Sequence, residues 1–272
     1  MIRPFARLGF GLCSSWVGAM ALRRDMTRIV ETDGPSRQPR VQSLLAWRRQ
    51  PRTLRVYDRA ASTYAFWRRT WLRQAGAAAE ANMLADLAAT LKPGDRVLDA
   101  GSGTGALSRH IKLICPTSQL TMVDVSPAML SQAEDVQAAK VVTDVQRLPF
   151  RDESFDVVVS SWVIETVADP RQAVSEYLRV LTQDGQVFYT FCTRPESPMA
   201  RLRTLLLRVV VRVGFAGHFL RHDRAPWHEC ANSHRSVFDG GLTTEIVLAK
   251  CCNVNTAMLP RPGTMRRTSL AS

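Results

Sequence analysis

The feature that most constrains this chain is a glycine-punctuated bend behind a short apolar run, Val97-Leu98-Asp99-Ala100-Gly101-Ser102-Gly103-Thr104-Gly105. The run predicts a buried strand that delivers Asp99 to its carboxyl end. Three glycines at alternate positions let the backbone turn sharply against a ligand, where any Cβ would intrude. Ligands of open α/β sheets sit in the crevice beyond the strand ends, so the bend marks a site as well as a fold. Its spacing, G-x-G-x-G, differs from the dinucleotide pattern G-x-G-x-x-G, and no G-x-x-x-x-G-K follows, which excludes a phosphate-cradling P-loop.

Strands and helices then alternate, the pattern of a parallel sheet with crossover helices. Arg96–Ala100, Gln119–Asp124, Val141–Asp144, Phe155–Ser160 and Gly185–Phe191 read as strands. Val157, Val158 and Val159 make the fourth apolar on both faces, as a central parallel strand must be. Helices are expected from the glycine bend to about Leu113, over Pro127–Ala139, over Arg171–Leu181 and over Pro198–Val213. Upstream, Tyr57 to Leu91 carries Tyr, Trp, Ala and Leu at helical spacing before Lys92-Pro93-Gly94, which predicts one or two helices. Arg235–Phe238 and Leu242–Ala249 flank Asp239-Gly240-Gly241 and read as a closing hairpin. The expected fold class is α/β: a doubly wound, mostly parallel sheet with a closing antiparallel hairpin.

Length and composition agree with one such domain plus terminal extensions. The chain has 272 residues, 46% hydrophobic and 22% charged, enough to bury a core, and no run reaches the roughly 20 apolar residues of a membrane span. The net charge of +12 is concentrated at the front, where residues 1–73 hold fifteen Arg and no Lys against Asp25, Glu31, Asp33 and Asp58. A basic leader points to targeting, an anionic membrane surface or an inert arm, whereas a nucleic-acid substrate would ask for a basic core. Within residues 1–25, Arg3 and Arg7 precede an uncharged run from Leu8 to Leu22. Three readings stay open there: a secretory signal with Ala19-Met20-Ala21 as its cleavage site, a mitochondrial presequence, or a start at Met20 or Met26. Residues 26–56, Arg-rich and punctuated by Gly34-Pro35, Pro39 and Pro51, read as a linker; 57–250 as the domain; and 251–272 as a disordered tail. The six cysteines are scattered, with no C-x-x-C pair, which argues against a disulfide framework or zinc ribbon and fits a reducing compartment such as the cytoplasm.

The second site element is Asp124, which ends the next strand 25 residues after Asp99. A carboxylate there can accept hydrogen bonds from both hydroxyls of a ribose, although a strand-end Asp can also be merely solvated. Four segments now stand in order: Val97–Gly105, Val123-Asp124-Val125-Ser126-Pro127-Ala128-Met129-Leu130, Thr143-Asp144-Val145-Gln146-Arg147-Leu148-Pro149-Phe150 and Ser154-Phe155-Asp156-Val157-Val158-Val159. Together they resemble the class I S-adenosylmethionine (SAM)-dependent methyltransferases, above all the ubiquinone/menaquinone-biosynthesis C-methyltransferases and their small-molecule relatives.

The resemblance implies a seven-stranded Rossmann-like methyltransferase fold with SAM as cofactor. It implies that Asp99, Gly101, Gly103 and Gly105 surround the methionine part and that Asp124 holds the ribose. Val125 or Met129 would pack on the adenine, with Asp144 accepting from its amino group and Val145 offering its backbone. Ser160 and Ser161 would border the transferable methyl. Tyr57-Asp58 and Tyr64 are similar to the family's Y-D-x-x-A-x-x-Y-D opening, a helix covering the cofactor, although Ala65 replaces the second acid. The family's Glu-His pair is Glu165-Thr166 here, which removes a candidate base, and its Pro-Gly-Gly turn is Gln183-Asp184-Gly185.

The acceptor side is less constrained. Ser160-Ser161-Trp162-Val163-Ile164-Glu165 lacks the [Asn/Asp]-Pro-Pro-[Tyr/Phe] of enzymes that methylate nucleobase amino groups, which disfavours nucleic acid. His218, His222, His228 and His234 cluster with Cys230, but their spacing matches no compact metal pattern, so no metal is expected. Should one of them act as a base, His228 beside Trp227 is preferred. Pro198–Val213 interleaves Leu202, Leu205, Leu206, Val209, Val210 and Val213 with Arg201, Arg203, Arg208 and Arg212. It reads either as a cover helix or as an interfacial helix at an anionic membrane. The expected activity is methyl transfer from SAM to a small, hydrophobic acceptor such as a quinone precursor, isoprenoid or phenolic metabolite. The alternatives are a phospholipid N-methyltransferase and a non-catalytic SAM-binding subunit.

Overall fold

The residues with least polar character take the middle of the sheet. In the computed structural model, which describes residues 51–195, 198–221 and 233–250, β1 (Arg96–Ala100) lies between β2 (Gln119–Asp124) and β4 (Phe155–Ser161). Val97 is paired with Leu120 on one side and Val157 on the other. With β3 (Ala139–Val142), β5 (Leu181–Cys192), β6 (Ser233–Phe238) and β7 (Thr243–Ala249), the strands form one seven-stranded sheet in the order β3-β2-β1-β4-β5-β7-β6. The first five are parallel, and β7 runs antiparallel to both β5 and β6.

Because side chains alternate across a strand, the central strands feed two cores. Val97, Val157, Val159 and Phe188 pack with Met83 and Leu87 of α3 (Ala77–Thr90) and with Leu107 and Ile111 of α4 (Ala106–Ile114). Leu98, Val158, Val187 and Tyr189 pack on the other face with Ala173, Val174, Tyr177 and Val180 of α6 (Pro170–Val180). That helix starts where the local chemistry demands: Asp169 accepts the Arg171 and Gln172 amides at 3.0 and 3.2 Å, and Pro170 stands in its first turn.

Several elements depart from the sequence expectation. The segment before β1 forms three helices, α1 (Pro51–Ala60), α2 (Tyr64–Gln74) and α3, not one or two, and α1 already begins inside the stretch read as linker to residue 56. The helix expected over Pro127–Ala139 is only the single turn α5 (Pro127–Leu130), followed by a 3₁₀ turn, Ser131–Ala133. Leu130, Ala133 and Val136 are all buried, and their spacing of three suits the tighter 3.0-residue period as well as an α-helix. The third strand lies two residues earlier than expected, so Asp144 falls beyond it, in the loop. Pro198–Val213 is divided into α7 (Pro198–Arg203) and α8 (Leu205–Gly214). At the break the Thr204 hydroxyl donates to the Arg201 carbonyl at 3.3 Å, the local competition that weakens Thr inside helices.

The hairpin is tied back to the amino-terminal helices. Asp239 Oδ2, in the β6–β7 turn, accepts the Gly76 amide at 3.0 Å and the Thr243 hydroxyl at 2.8 Å. Gly76 itself has φ +89°, and a Cβ on it would lie 2.8 Å from the Trp71 indole nitrogen and 2.9 Å from Trp162. The fully buried Leu98, in the middle of the β1 register, is a direct check on the sheet core. Leu98→Ala is expected to lower unfolding free energy by about 2–5 kcal/mol, read from the midpoint of a urea denaturation curve at unchanged slope.

Candidate functional site

Parallel strands leave their carboxyl ends at one edge of the sheet, and the site is assembled there. β1 ends in the glycine bend, with Gly101, Gly103 and Gly105 at φ +79°, +55° and +77°. The Gly101 and Ser102 amides both donate to the Val123 carbonyl, at 2.8 and 2.9 Å, which folds the bend back over the end of β2. A Cβ on Gly101 would fall 2.3 Å from Val163, and one on Gly105 2.8 Å from Ala133. Gly105 thus serves helix–sheet packing, while a Cβ on Gly103 would meet the cleft-lining side chains of Met129 at 3.2 Å and Tyr64 at 3.9 Å.

Asp124 closes β2 and is 9% exposed. Its Oδ2 accepts the Gly103 amide at 2.9 Å and its Oδ1 the Ser126 amide at 2.9 Å. Burial raises its pKa to about 6 in spite of these donors. A carboxylate offers about four acceptor positions, more than these amides occupy. Ser126 caps α5 by accepting the Met129 amide at 3.1 Å and donates its hydroxyl to Asp58 of α1 at 2.5 Å. Asp58 therefore fastens the covering helix to the loop that begins the binding face.

These groups open into a cleft of about 530 Å³, including the part open to solvent. Gly101, Gly103, Asp124, Val125 and Met129 form one wall, and Thr143, Asp144 and Val145 the next. Asp144 is half-buried and is oriented by Gln146, whose amide and side-chain nitrogen reach its Oδ1 at 2.9 and 3.0 Å. Tyr57, Tyr64, Ser161, Trp162 and Val163 line it as well.

A second cavity, about 400 Å³ including the part open to solvent, adjoins the first, since Tyr57, Tyr64, Trp162 and Thr166 line both. Its other walls are Arg68, Trp71, Glu165, Cys192, Val211, Phe215 and Gly217. Trp71 meets Trp162 edge to face with centroids 5.5 Å apart, and Tyr64 meets Phe215 at 6.3 Å. Arg68 is held by both oxygens of Glu80, at 2.5 and 2.6 Å, and the Trp162 indole donates to Glu80 at 3.4 Å.

Ten residues singled out from the sequence thus meet around one cleft: Gly101, Gly103, Asp124, Val125, Met129, Asp144, Val145, Ser161, Tyr57 and Tyr64. Three do not line it. Asp99 is 1% exposed and accepts the Ser108 hydroxyl at 2.5 Å behind the bend. Ser160 points into the core, donating to the Ala100 carbonyl at 2.9 Å beside the Tyr177 hydroxyl at 3.0 Å. Gly105 lies at the start of α4. His228, like His222 and Cys230, lies outside the described residues; His218 and His234 are exposed. Among the described residues no group of three or more His, Cys, Asp or Glu side chains could hold a metal ion. Trp162, Glu165 and Cys192 were not singled out as site residues. The one available signal was Glu165 itself, an acid inside an otherwise apolar stretch.

Residues 98–189 match the family model of a methyltransferase domain. The ubiquinone/menaquinone biosynthesis C-methyltransferase UbiE of Ectopseudomonas mendocina is 31% identical over 118 residues, 40% of this chain and 46% of that protein. The malonyl-[acyl-carrier protein] O-methyltransferase of Erwinia billingiae is 36% identical over 104 residues, 38% of this chain and 41% of that protein. The chain spans less than half the length of these relatives. A SAM-dependent methyltransferase from Thermotoga maritima shares the fold, with a TM-score of 0.52 and 18% identity over 73% of this chain and all of that one. Over residues 98–189 the chain is therefore similar to the methyltransferase superfamily, and it has the Rossmann-like sheet of that fold. Within that superfamily it resembles the ubiquinone/menaquinone-biosynthesis C-methyltransferases. The residues of the cleft fit SAM: Asp124 and Asp144 line it as acceptors, and a Cβ on Gly103 would press on Met129 of the same lining at 3.2 Å.

Four buried acids set the pH dependence of the ligand-free fold. Burial raises Asp99 and Glu165 to about 7, Asp124 to about 6 and Glu245 to about 7. Between the ordinary carboxylate pKa near ~4 and these values the folded chain holds protons that the unfolded chain has released. Stability must then fall as pH rises through that window. Scanning calorimetry of the ligand-free protein is expected to give a higher Tm at pH 5.5 than at pH 8.

Proposed function

We propose that this protein transfers a methyl group from SAM to a small, hydrophobic acceptor, such as a quinone precursor, an isoprenoid or a phenolic metabolite. The observation that carries the reading is the pair of adjoining cavities, one walled by Asp124 and Asp144, the other by aromatic rings, with Tyr57, Tyr64, Trp162 and Thr166 between them. In this reading Gly101 and Gly103 give the amino-acid end of the cofactor close backbone contact. The free acceptor positions of Asp124 take the ribose hydroxyls, Val125 and Met129 pack on the adenine, and Asp144 with the Val145 backbone takes its polar edge.

Bound SAM supplies a methyl already activated on a sulfonium. The chain's own work is to align the acceptor and exclude water, which Tyr57, Tyr64 and Trp162 do at the junction. A base is required only where the acceptor must lose a proton. The UbiE and malonyl-[acyl-carrier protein] relatives support a small acceptor without selecting one. In calorimetry, S-adenosylhomocysteine (SAH) should bind the purified protein, and Asp124→Ala should weaken it by at least about tenfold, the value of one good charge-assisted hydrogen bond. Incubation of cell extract with methyl-labelled SAM and the protein should then label a small apolar metabolite. Absence of heat with both SAM and SAH would remove the reading.

A lipophilic acceptor is favoured further by the surface of α7 and α8. Leu202, Leu205 and Val209 are 67%, 53% and 53% exposed and interleave with Arg201, Arg208 and Arg212, while Val211 of the same helix lines the second cavity. Apolar residues at a helix surface with Arg beside them suit the interface of an anionic membrane. Among the described residues no helix is long and apolar enough to cross a membrane. Cosedimentation with phosphatidylglycerol-containing vesicles is expected, reduced several-fold in Leu205→Glu/Val209→Glu. Equal partitioning of the two proteins would exclude this contact.

A further inference from the structure

Glu165 follows β4 and is 4% exposed. Its backbone is fixed, since its carbonyl accepts the His218 amide at 2.9 Å. One carboxyl oxygen, Oε1, receives the Cys192 thiol at 3.2 Å. The other, Oε2, is buried and has no hydrogen-bond partner among the described residues. Leaving such an atom unmet is costly, on the order of 1–3 kcal/mol and more for a charged group, and buried polar groups in native folds are nearly always satisfied.

The groups around it are already engaged. Arg68 is taken by Glu80, and the Tyr57 hydroxyl donates to the Phe215 carbonyl at 3.0 Å. Glu245 Oε1 and Arg194 Nε are also buried without a partner, but neither residue lines a cavity described above. Glu165 does, and the rings of Tyr57, Tyr64, Trp71, Trp162 and Phe215 stand in the same walls.

We propose that Glu165 is the residue that recognises the acceptor, its Oε2 accepting a hydrogen bond from the hydroxyl of a planar, phenol-like molecule held among these rings. The proposal rests on reading the second cavity as the acceptor site. Flat apolar walls select a planar ring system, and offset or edge-to-face contacts with them add to its burial. A single acid selects a ligand with a donor. A neutral hydroxyl meets that need without burying a second charge. Burial holds the acid near pKa about 7, so a substantial fraction is carboxylate at neutral pH and able to form a charge-assisted bond.

The test is calorimetry on the full chain, saturated with SAH, using three bicyclic probes: 2-naphthol, 2-methoxynaphthalene and 2-naphthylmethylamine. Wild type is expected to bind 2-naphthol at least about tenfold more tightly than either of the others. In Glu165→Gln the preference for 2-naphthol over its ether should shrink to less than about threefold, as expected when a neutral acceptor replaces a charged one, with SAH affinity unchanged. Should the variant fail to bind SAH, the wild-type ratio decides alone. Equal binding of naphthol and ether by wild type, no binding of 2-naphthol at all, a preference that survives in Glu165→Gln, or tightest binding of the amine would each overturn the proposal. Failure of wild type to bind SAH would instead sink the cofactor reading on which it rests.

Discussion

The Asp124 carboxylate is the junction on which the binding end of the sheet depends. One oxygen receives the amide of Gly103 and the other that of Ser126, so a single side chain joins the bend after β1 to the start of α5. Taking a carboxylate out of water is expensive, and with its pKa raised to about 6 by burial, the backbone donors around it offset only part of that cost. A ligand bringing further donors would complete the compensation. The same junction extends outward, because Ser126 also holds Met129 and Asp58. Floor, wall and covering helix are fixed by one chain of hydrogen bonds.

The second cavity is built on a different principle. Its walls are aromatic and its polar groups few, so it offers area and shape, with one acid to supply orientation. Trp162 shows how closely this is fitted. It adopts φ +61° immediately after β4, its amide is held by the Thr190 carbonyl at 3.0 Å, and its ring meets Trp71 beside a glycine that leaves room for both. Tyr57 and Tyr64, 6.0 Å apart at their centroids, form the partition through which the two compartments communicate. A polar compartment for a charged cofactor thus abuts an apolar one.

Much of this was legible in the residues. Arg96–Ala100 and Gln119–Asp124 stand where their apolar runs put them, because a central parallel strand has no alternative use for such runs. The glycine bend was legible for the same reason, as its backbone angles suit few other residues. Long-range choices were not. Nothing local to Ser160 says that its hydroxyl turns toward Ala100 and Tyr177 while Ser161, one residue on, faces the cleft; that depends on the phase of β4 relative to β1. The motif alone puts Asp99 in the site, whereas its side chain lies behind the bend for the same reason. Glu165 gains its meaning only from Cys192 and Phe215, which are distant in the chain. Helix length was overread at Pro127–Ala139, where a spacing of three serves a 3₁₀ turn equally well.

The Gly76–Asp239 hydrogen bond spans 163 positions of sequence. A ribosome releases the amino-terminal helices long before the hairpin that fastens them, and domains fold as their segments emerge. The sheet from β1 to β5 can assemble early from near neighbours, whereas the turn at Gly76, between α2 and α3, waits for the last strands. Biogenesis therefore ends with this fastening: an interrupted translation product can possess the sheet core and still lack it.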